Sequence, residues 1–225
     1  MRLSILHIER QVHDEATPDA EAVGTLVRAL ADHGVRSVGL LELLNGTLCS
    51  DDNQPTLLIT TGETRCSRLS TLLSVLSSEG IPLLVGVDRK TLCGDDPESL
   101  RMADIPALLG SGGVLAARGT DGEPLVGLQP GTTYDELSAS REKMSADAGY
   151  PVHWLLPRPN SLGKAADRLV LQQAERVGYR HCLVPTPGRT NACDGPPPFQ
   201  LGYHVWGPSD TAANLAAWAA GDLLG

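Results

Sequence analysis

Hydrophobic positions follow two different spacings along this chain, and the two alternate. Short apolar runs bounded by polar residues, such as residues 3–8 and 56–61, predict buried strands. Other segments repeat apolar residues every three or four positions, which predicts helices that pack on one face. Strand and helix alternate roughly seven times, an order typical of a parallel α/β sheet or barrel. We therefore expect the working residues at the carboxyl ends of the strands.

The predicted elements extend over almost the whole chain. Predicted strands cover residues 3–8, 37–41, 56–61, 81–87, 113–117, 152–156, 179–184 and 203–206. Predicted helices lie between Thr17 and Gly34, before Gly80, over 103–109, over 133–148, over 164–177 and from Ser209 to Leu223. Residues 110–113 are interpreted as a turn that ends a helix, and residues 195–198 as a stiff loop. Because no break in composition divides the chain, we expect one domain over residues 1–225.

Composition narrows the possible partners and the location. The 225 residues contain 18 Lys and Arg against 27 Asp and Glu, so the net charge of −9 disfavours nucleic acid and anionic membranes. No apolar run reaches the roughly 18–20 residues of a membrane span, and Glu9 and Arg10 interrupt the first strand before a signal-peptide core can form. We expect a cytoplasmic protein with a small-molecule partner; its oligomeric state is not predicted. Only three lysines are present, which favours a GC-rich bacterial source.

The five cysteines are scattered and form no CxxC pair. Neither a disulfide framework nor a zinc ribbon is therefore indicated, and reduced thiols are expected.

Several segments have a familiar order. TTGET at residues 60–64 ends a predicted strand, and a helix and the Gly-Ile-Pro of residues 80–82 follow it. GSGGVLAARGTDGEPL at 110–125 comes next, and then PRPNS at 157–161, GYR at 178–180 and PGR at 187–189. Together these features resemble the NodB, or polysaccharide deacetylase, family (carbohydrate esterase family 4). The resemblance implies that family's single-domain distorted (β/α) barrel.

The family's catalytic signature is the part that does not match. In the family, the first Asp of a TFDDG turn activates water, and the second Asp and two His of an SHTxxHP segment hold a divalent metal. Matching TTGET to TFDDG places Gly62 at the base and Glu63 at the metal Asp; matching residues 117–123 to SHTxxHP places Arg118 and Gly122 at the two His. One carboxylate without imidazole does not complete a catalytic zinc site. We expect a divergent member that lacks the metal site and uses no metal or other cofactor.

Glu63 and Arg118 are expected to face each other across the vacated metal position. A guanidinium is a permanent cation that binds carboxylates in a bidentate way, so Arg118 can take over the charge of the missing ion. Glu63 and Asp121 are the other catalytic candidates, as acid or base. The alternative is a structural salt bridge that seals an inactive site. Candidate substrate-binding residues at predicted strand ends are His7, His153, Trp154, Arg158, His204 and Trp206.

For these binding candidates a structural role is the simpler interpretation. A lone histidine in a strand is more often a hydrogen-bonded structural residue than a catalyst. The tryptophans are either core residues or a stacking wall, a question that matters because only 4% of the residues are aromatic.

Three functions remain open from the sequence. The first is a metal-independent enzyme that acts on a small molecule in bacterial specialised metabolism, through the mouth of the barrel. The second is a catalytically inactive pseudoenzyme that serves as a binding or partner module. The third is an amide or N-acetyl hydrolase whose metal ligands have moved, for example to Glu63, Asp121, His153 and His204.

Overall fold

A computed structural model describes residues 2–8, 20–48, 54–186, 191–192, 199–207 and 209–220. The strands are β1 Arg2–Ile8, β2 Arg36–Ser37, β3 Pro55–Thr61, β4 Leu83–Val87, β5 Gly113–Ala117, β6 Trp154–Leu155, β7 His181–Pro185, β8 Asn191–Ala192 and β9 Gln200–Val205. The helices are α1 Ala20–Asp32, α2 Leu40–Asn45, α3 Cys66–Ser78, α4 Arg89–Leu92, α5 Ile105–Gly110, α6 Pro130–Ala148, α7 Arg168–Val177 and α8 Ala212–Ala220.

Seven parallel strands close into a barrel. Their order is β3-β4-β5-β6-β7-β9-β1, and β1 pairs with β3 along its whole length, from Arg2 opposite Pro55 to Ile8 opposite Thr61. The short strand β2 pairs with the start of β3, and β8 runs antiparallel to the start of β1. Helices cover the outside of the barrel. The predicted fold class, an α/β protein with a (β/α) barrel, is confirmed.

Alternate side chains of the strands build two separate cores, because successive residues of a strand point to opposite faces. The inner core fills the barrel and includes Leu3, Ile5, Leu58, Leu84, Val114, Ala116, Trp154, Leu156, Leu183, Leu201 and Tyr203. The outer core lies between the strands and the helices. Any polar side chain on the inner face therefore stands in a layer that is otherwise apolar.

Helix α2 plugs the amino-terminal end of the barrel. Its start is fixed by the carboxylate of Glu42, which accepts a hydrogen bond of 2.6 Å from the N–H of Gly39. Leu43 is fully buried in the inner core, and its carbonyl accepts a hydrogen bond of 2.7 Å from the indole N–H of Trp154. The opposite end of the barrel carries the strand-to-helix loops, where this fold places its working residues.

Several element boundaries differ from the prediction. The strand predicted over 37–41 is only β2, and the leucines that follow form α2, because Leu43 is needed to fill the barrel. α6 begins at Pro130 rather than Thr133, whose hydroxyl donates back to the carbonyl of Gln129 inside the helix. The turn predicted between α5 and β5 is confirmed. Thr17 and residues 195–198 lie outside the described residues.

The last two helices start later than predicted. α7 begins after Asp167, whose side chain accepts from the N–H of Val170 at 2.9 Å. α8 begins after Thr211, whose hydroxyl accepts from the N–H of Asn214 at 3.1 Å, rather than after Ser209.

None of the helices in the described part of the chain is long and apolar enough to cross a membrane.

Candidate functional site at the mouth of the barrel

Polar side chains stand at the carboxyl-terminal end of the barrel, on its inner face. His7, Thr60, Gly86 and Arg118 each lie two residues beyond a member of the inner core, so alternation directs them inward. Arg118 follows the last residue of β5 and continues its ladder, since its N–H donates to the carbonyl of Val87 at 2.9 Å. We call the end lined by His7, Thr60, Gly86, Asp88, Arg118 and Tyr203 the mouth.

His7 and Thr60 are joined across β1 and β3. The imidazole Nδ1 and the Thr60 hydroxyl oxygen lie 2.5 Å apart, and both side chains are fully buried. The His7 ring also packs on the ring of Tyr203, with 4.8 Å between their centroids. These contacts fix the orientation of the imidazole within the inner face of the mouth.

Arg118 is buried although it carries a permanent charge. Only 3% of the residue is exposed. Its Cδ lies 3.2 Å from the point that a Cβ of Gly86 would occupy, so the side chain passes over β4. Moving a charged group out of water costs several kcal/mol unless polar partners compensate it, so the burial of this cation depends on the groups around it.

Asp88 is a mouth residue that the sequence reasoning missed. It directly follows β4, is 5% exposed, and accepts a hydrogen bond of 2.7 Å from the N–H of Thr91 at the start of α4. Its second carboxylate oxygen lies against Gly122, where an added Cβ would come within 2.5 Å of it. The signal was present, because an acidic residue immediately after an apolar strand of an α/β barrel lies at its carboxyl end.

The loop after β5 is held from two sides. Glu136 of α6 accepts a hydrogen bond from the N–H of Thr120, and the carbonyl of Thr120 accepts one of 2.9 Å from the N–H of Lys90. Asp121 is exposed on this loop. The loop is thus fixed next to Arg118, with Asp121 on the rim of the mouth.

Glu63 lies in the loop after β3 but does not pair with Arg118. Its carboxylate accepts a hydrogen bond of 2.9 Å from the N–H of Arg65 and lies 3.7 Å from the guanidinium of Arg68. Both partners belong to the start of α3, where the helix dipole favours a negative charge. The expected pairing of Glu63 with Arg118 is therefore not the one that forms.

Two of the candidate binding residues lie at the plugged end. His153 precedes β6 beside Gly46, whose added Cβ would meet the His153 Cβ at 2.5 Å, and Trp154 points into the inner core. Burial, reinforced by the charge of Arg180, lowers the pKa of His153 to about 4. These two residues flank the plug rather than the mouth, because β6 starts at Trp154.

The remaining candidates divide between the rim and the outer core. Arg158 is exposed beyond β6, on the side of the mouth. Tyr203 is the inward residue of β9, so its neighbour His204 points outward, 2.9 Å from the carboxylate of Asp210 and against the ring of Trp218. Trp206 belongs to the outer core.

The described residues do not fit a divalent metal. Within the ranges that the structure describes, no group of three or more His, Cys, Asp or Glu side chains is arranged to hold one. The relocated set considered from the sequence is not assembled, since His153 lies at the plugged end and His204 in the outer layer.

Comparisons with known proteins agree with the barrel. No family model and no curated relative matches the chain. Among solved structures, the deacetylase PplD of Streptococcus pyogenes, in complex with acetate, has a TM-score of 0.75, 13% identity and 96% of each chain covered. IcaB of Ammonifex degensii has 0.74, 16% and 97% of each chain. A de-N-acetylase of Aggregatibacter actinomycetemcomitans has 0.74 and 10%, over 97% of this chain and all of that one.

These likenesses establish a fold. The chain has the fold of the NodB-like polysaccharide deacetylases, as the sequence resemblance implied. Identities of 10–16% among such neighbours leave the reaction to be argued from this chain's own residues.

Proposed function

We propose that the protein is a metal-independent enzyme that acts on a small molecule at the mouth of the barrel. The observation that carries the proposal is the burial of Arg118 on the inner face, at the carboxyl end of β5. A permanent cation held at the carboxyl end of a barrel strand, where this fold places its working residues, suits a ligand anion or a developing negative charge.

Arg118 supplies the positive charge of the proposed site. Its guanidinium is always protonated, and with little water around it a developing oxygen anion is stabilised far more than in solution. In the deacetylase family that the sequence resembles, a metal ion supplies this positive charge.

His7 is the proposed proton carrier. Histidine exchanges a proton near neutral pH more readily than other side chains, and Thr60 and Tyr203 hold its ring in one orientation. Asp88 is a second candidate at the same end. Glu63 and Asp121 lie on the rim, and the engagement of Glu63 with Arg68 favours His7 over Glu63 as the acid or base.

The biological setting is part of the proposal. A scarcity of lysine favours a GC-rich bacterial source, and a mouth whose inner face differs from the metal-binding pattern suits a small molecule of specialised metabolism in the cytoplasm. The deacetylase fold supports one alternative, an amide or N-acetyl hydrolase. The other alternative is a binding protein without turnover.

The test is substrate discovery in a bacterial metabolite extract, followed by mass spectrometry. Chelator-treated protein is expected to consume a metabolite and form a product, and Arg118→Gln to slow this by about 10²–10³-fold, as loss of an oxyanion donor does. Arg28→Gln is the matched control, because Arg28 is exposed on α1 and donates a hydrogen bond to its neighbour Thr25.

Three results would overturn the proposal. Turnover that chelation abolishes and zinc restores would favour the hydrolase. A metabolite that binds tightly without being converted would favour the binding protein. Equal rates for Arg118→Gln and Arg28→Gln would remove Arg118 from the site.

A further inference from the structure

Asp88 continues the path of strand β4 at the mouth of the barrel. Its backbone is extended, and the pairing with the chain after β5 continues past it, since the N–H of Arg89 donates to the carbonyl of Gly119 at 3.4 Å. Because the side chains of a strand alternate, Asp88 points to the same inner face as Leu84. A carboxylate therefore stands at the end of the apolar inner core.

The two carboxylate oxygens of Asp88 have different surroundings. Oδ1 accepts the hydrogen bond of 2.7 Å from the N–H of Thr91 and so caps α4. No described residue donates a hydrogen bond to Oδ2. Asp88 is only 5% exposed, but Oδ2 is not one of the fully enclosed polar atoms that lack a partner, so solvent at the mouth reaches it.

The cap of α4 does not require this second oxygen. Serine and asparagine cap a helix as well as aspartate does, and they carry no charge. Asp167 caps α7 in the same way, accepting from the N–H of Val170 at 2.9 Å, but it is half-buried and lies away from the mouth. A nearly buried carboxylate with an unused oxygen costs free energy unless a proton donor meets that oxygen.

Gly122 keeps the space beside Oδ2 free of a side chain. A Cβ at this position would lie 2.5 Å from Oδ2 and 2.9 Å from Cγ of Asp88. The residues on either side of Gly122 in the chain, Asp121 and Glu123, are exposed on the rim. The space next to Oδ2 is therefore bordered by negative charge, which favours a cation over an anion as its occupant.

The geometry favours an ammonium group in particular. A guanidinium binds a carboxylate through both oxygens, and the N–H of Thr91 already occupies one of them. An ammonium is a compact cation that can donate to a single oxygen. A neutral hydroxyl could also donate, but it would leave the charge of Asp88 unbalanced, since no described Lys, Arg or His forms an ion pair with it and the neighbouring Arg89 pairs with Asp147.

We propose that Asp88 binds a protonated primary amine of the substrate through Oδ2. The inference rests on the proposed function and adds a substrate class to it: a small molecule that carries an amino group. An N–H of the ammonium donates to Oδ2, while the N–H of Thr91 holds Oδ1 and fixes the orientation of the carboxylate. Asp88 then serves binding, and proton transfer stays with His7.

The experiment follows the backbone N–H signals of Thr91 and Gly122 by NMR of ¹⁵N-labelled protein at neutral pH. Methylammonium chloride is the probe, sodium chloride at the same ionic strength is the control for salt, and methanol is a neutral donor of similar size. Methylammonium is expected to shift both signals in a saturable way, and sodium chloride and methanol to leave them unchanged. No saturable shift at up to about 0.1 M methylammonium would overturn the inference.

Asp88→Asn removes the charge and keeps the cap, because the amide oxygen of asparagine can still accept from Thr91. The variant is expected to bind methylammonium at least about tenfold more weakly, the equivalent of about 1.4 kcal/mol. Asp167→Asn is the matched control, since it makes the same change at the cap of α7. It is expected to bind methylammonium as the wild type does. Equal affinities of the two variants would overturn the inference.

Asp88→Ser is the second variant if Asp88→Asn does not fold. Serine also caps the helix through its side-chain oxygen, but it has no second oxygen to meet a ligand. Methylammonium binding that persists in a folded variant of either kind would overturn the inference. The wild-type titration against sodium chloride and methanol tests the inference independently of both variants.

The inference and the proposed function fail separately. If methylammonium binds at Asp88 but no metabolite is turned over, the enzyme proposal is refuted and the amine site stands. If a metabolite is turned over and methylammonium gives no saturable shift, the amine site is refuted and the enzyme proposal stands.

Discussion

Replacing Trp154 with phenylalanine tests how the barrel is closed at its amino-terminal end. The variant keeps an aromatic ring in the inner core but removes the indole N–H that donates to the carbonyl of Leu43 at 2.7 Å. It also leaves a small void, because Trp154 is fully buried. The variant therefore loses one hydrogen bond and some packing between the wall and the plug.

The magnitude follows from what each group retains. The Leu43 carbonyl still accepts from the N–H of Gly46 at 3.1 Å, so it is not orphaned, and the lost bond is worth about 0.5–1.5 kcal/mol. Whole aromatic residues cut back to alanine lose about 3–5 kcal/mol, so the smaller void here accounts for about 1–2 kcal/mol. We expect Trp154→Phe to lower the free energy of unfolding by about 1.5–3.5 kcal/mol.

Trp218→Phe provides the matched comparison. Trp218 is 8% exposed, and its buried indole N–H has no hydrogen-bond partner among the described residues. Removing that N–H relieves an unsatisfied donor, so the expected loss is about 1 kcal/mol or less. Urea unfolding followed by far-UV circular dichroism measures the free energy of unfolding of both variants. Equal losses in the two variants would refute the hydrogen bond as the origin of the difference.

Two further predictions concern pH and backbone strain. Burial lowers the pKa of His153 to about 4, so this residue stays neutral in the folded state, whereas in the unfolded chain it takes up a proton below about pH 6.5. The part of the free energy of unfolding that depends on neutral His153 is therefore fully present above about pH 6.5 and is lost as the pH falls. Between about pH 7.5 and pH 5, urea titrations are expected to show wild type losing about 1 kcal/mol more than His153→Gln, after discounting for its partial exposure; parallel losses would contradict this. Gly122 and Gly127 both have positive φ, but of the two only Gly122 would bring an added Cβ against Asp88. Calorimetry is therefore expected to give Gly122→Ala a lower melting temperature than Gly127→Ala. The reverse order would refute the contact with Asp88.

The barrel strands were predictable where the apolar pattern had only one solution. The strands β4 and β5 fall within the predicted ranges, and β1 and β3 each begin one residue earlier than predicted, since short apolar runs between turns are typical of a buried parallel strand. The leucines of residues 40–44 suit a strand or a helix equally well. Their choice is made by tertiary structure, because Leu43 fills the end of the barrel and Glu42 accepts the N–H of Gly39.

The site was predictable only for strands in which the sequence indicates which residues face the inside of the barrel. Arg118 lies on the inner face of the mouth, as a residue at the carboxyl end of β5 should. In β9 the sequence favoured His204, whereas the register places Tyr203 inward, and a shift of one residue exchanges the two faces of a strand. Asp88 matched no motif, so only its place after β4 identifies it.

The position of β1 has a consequence for how the chain is made. One edge of β1 pairs with β3, which follows about fifty residues later, but the other edge pairs with β9, close to residue 205. During translation this apolar first strand therefore keeps an unpaired edge until nearly the whole chain has been synthesised. Such edges invite pairing with other chains, and contacts so distant in sequence form slowly. We therefore expect the yield of folded protein to depend on chaperones during synthesis more than on the stability of the finished fold.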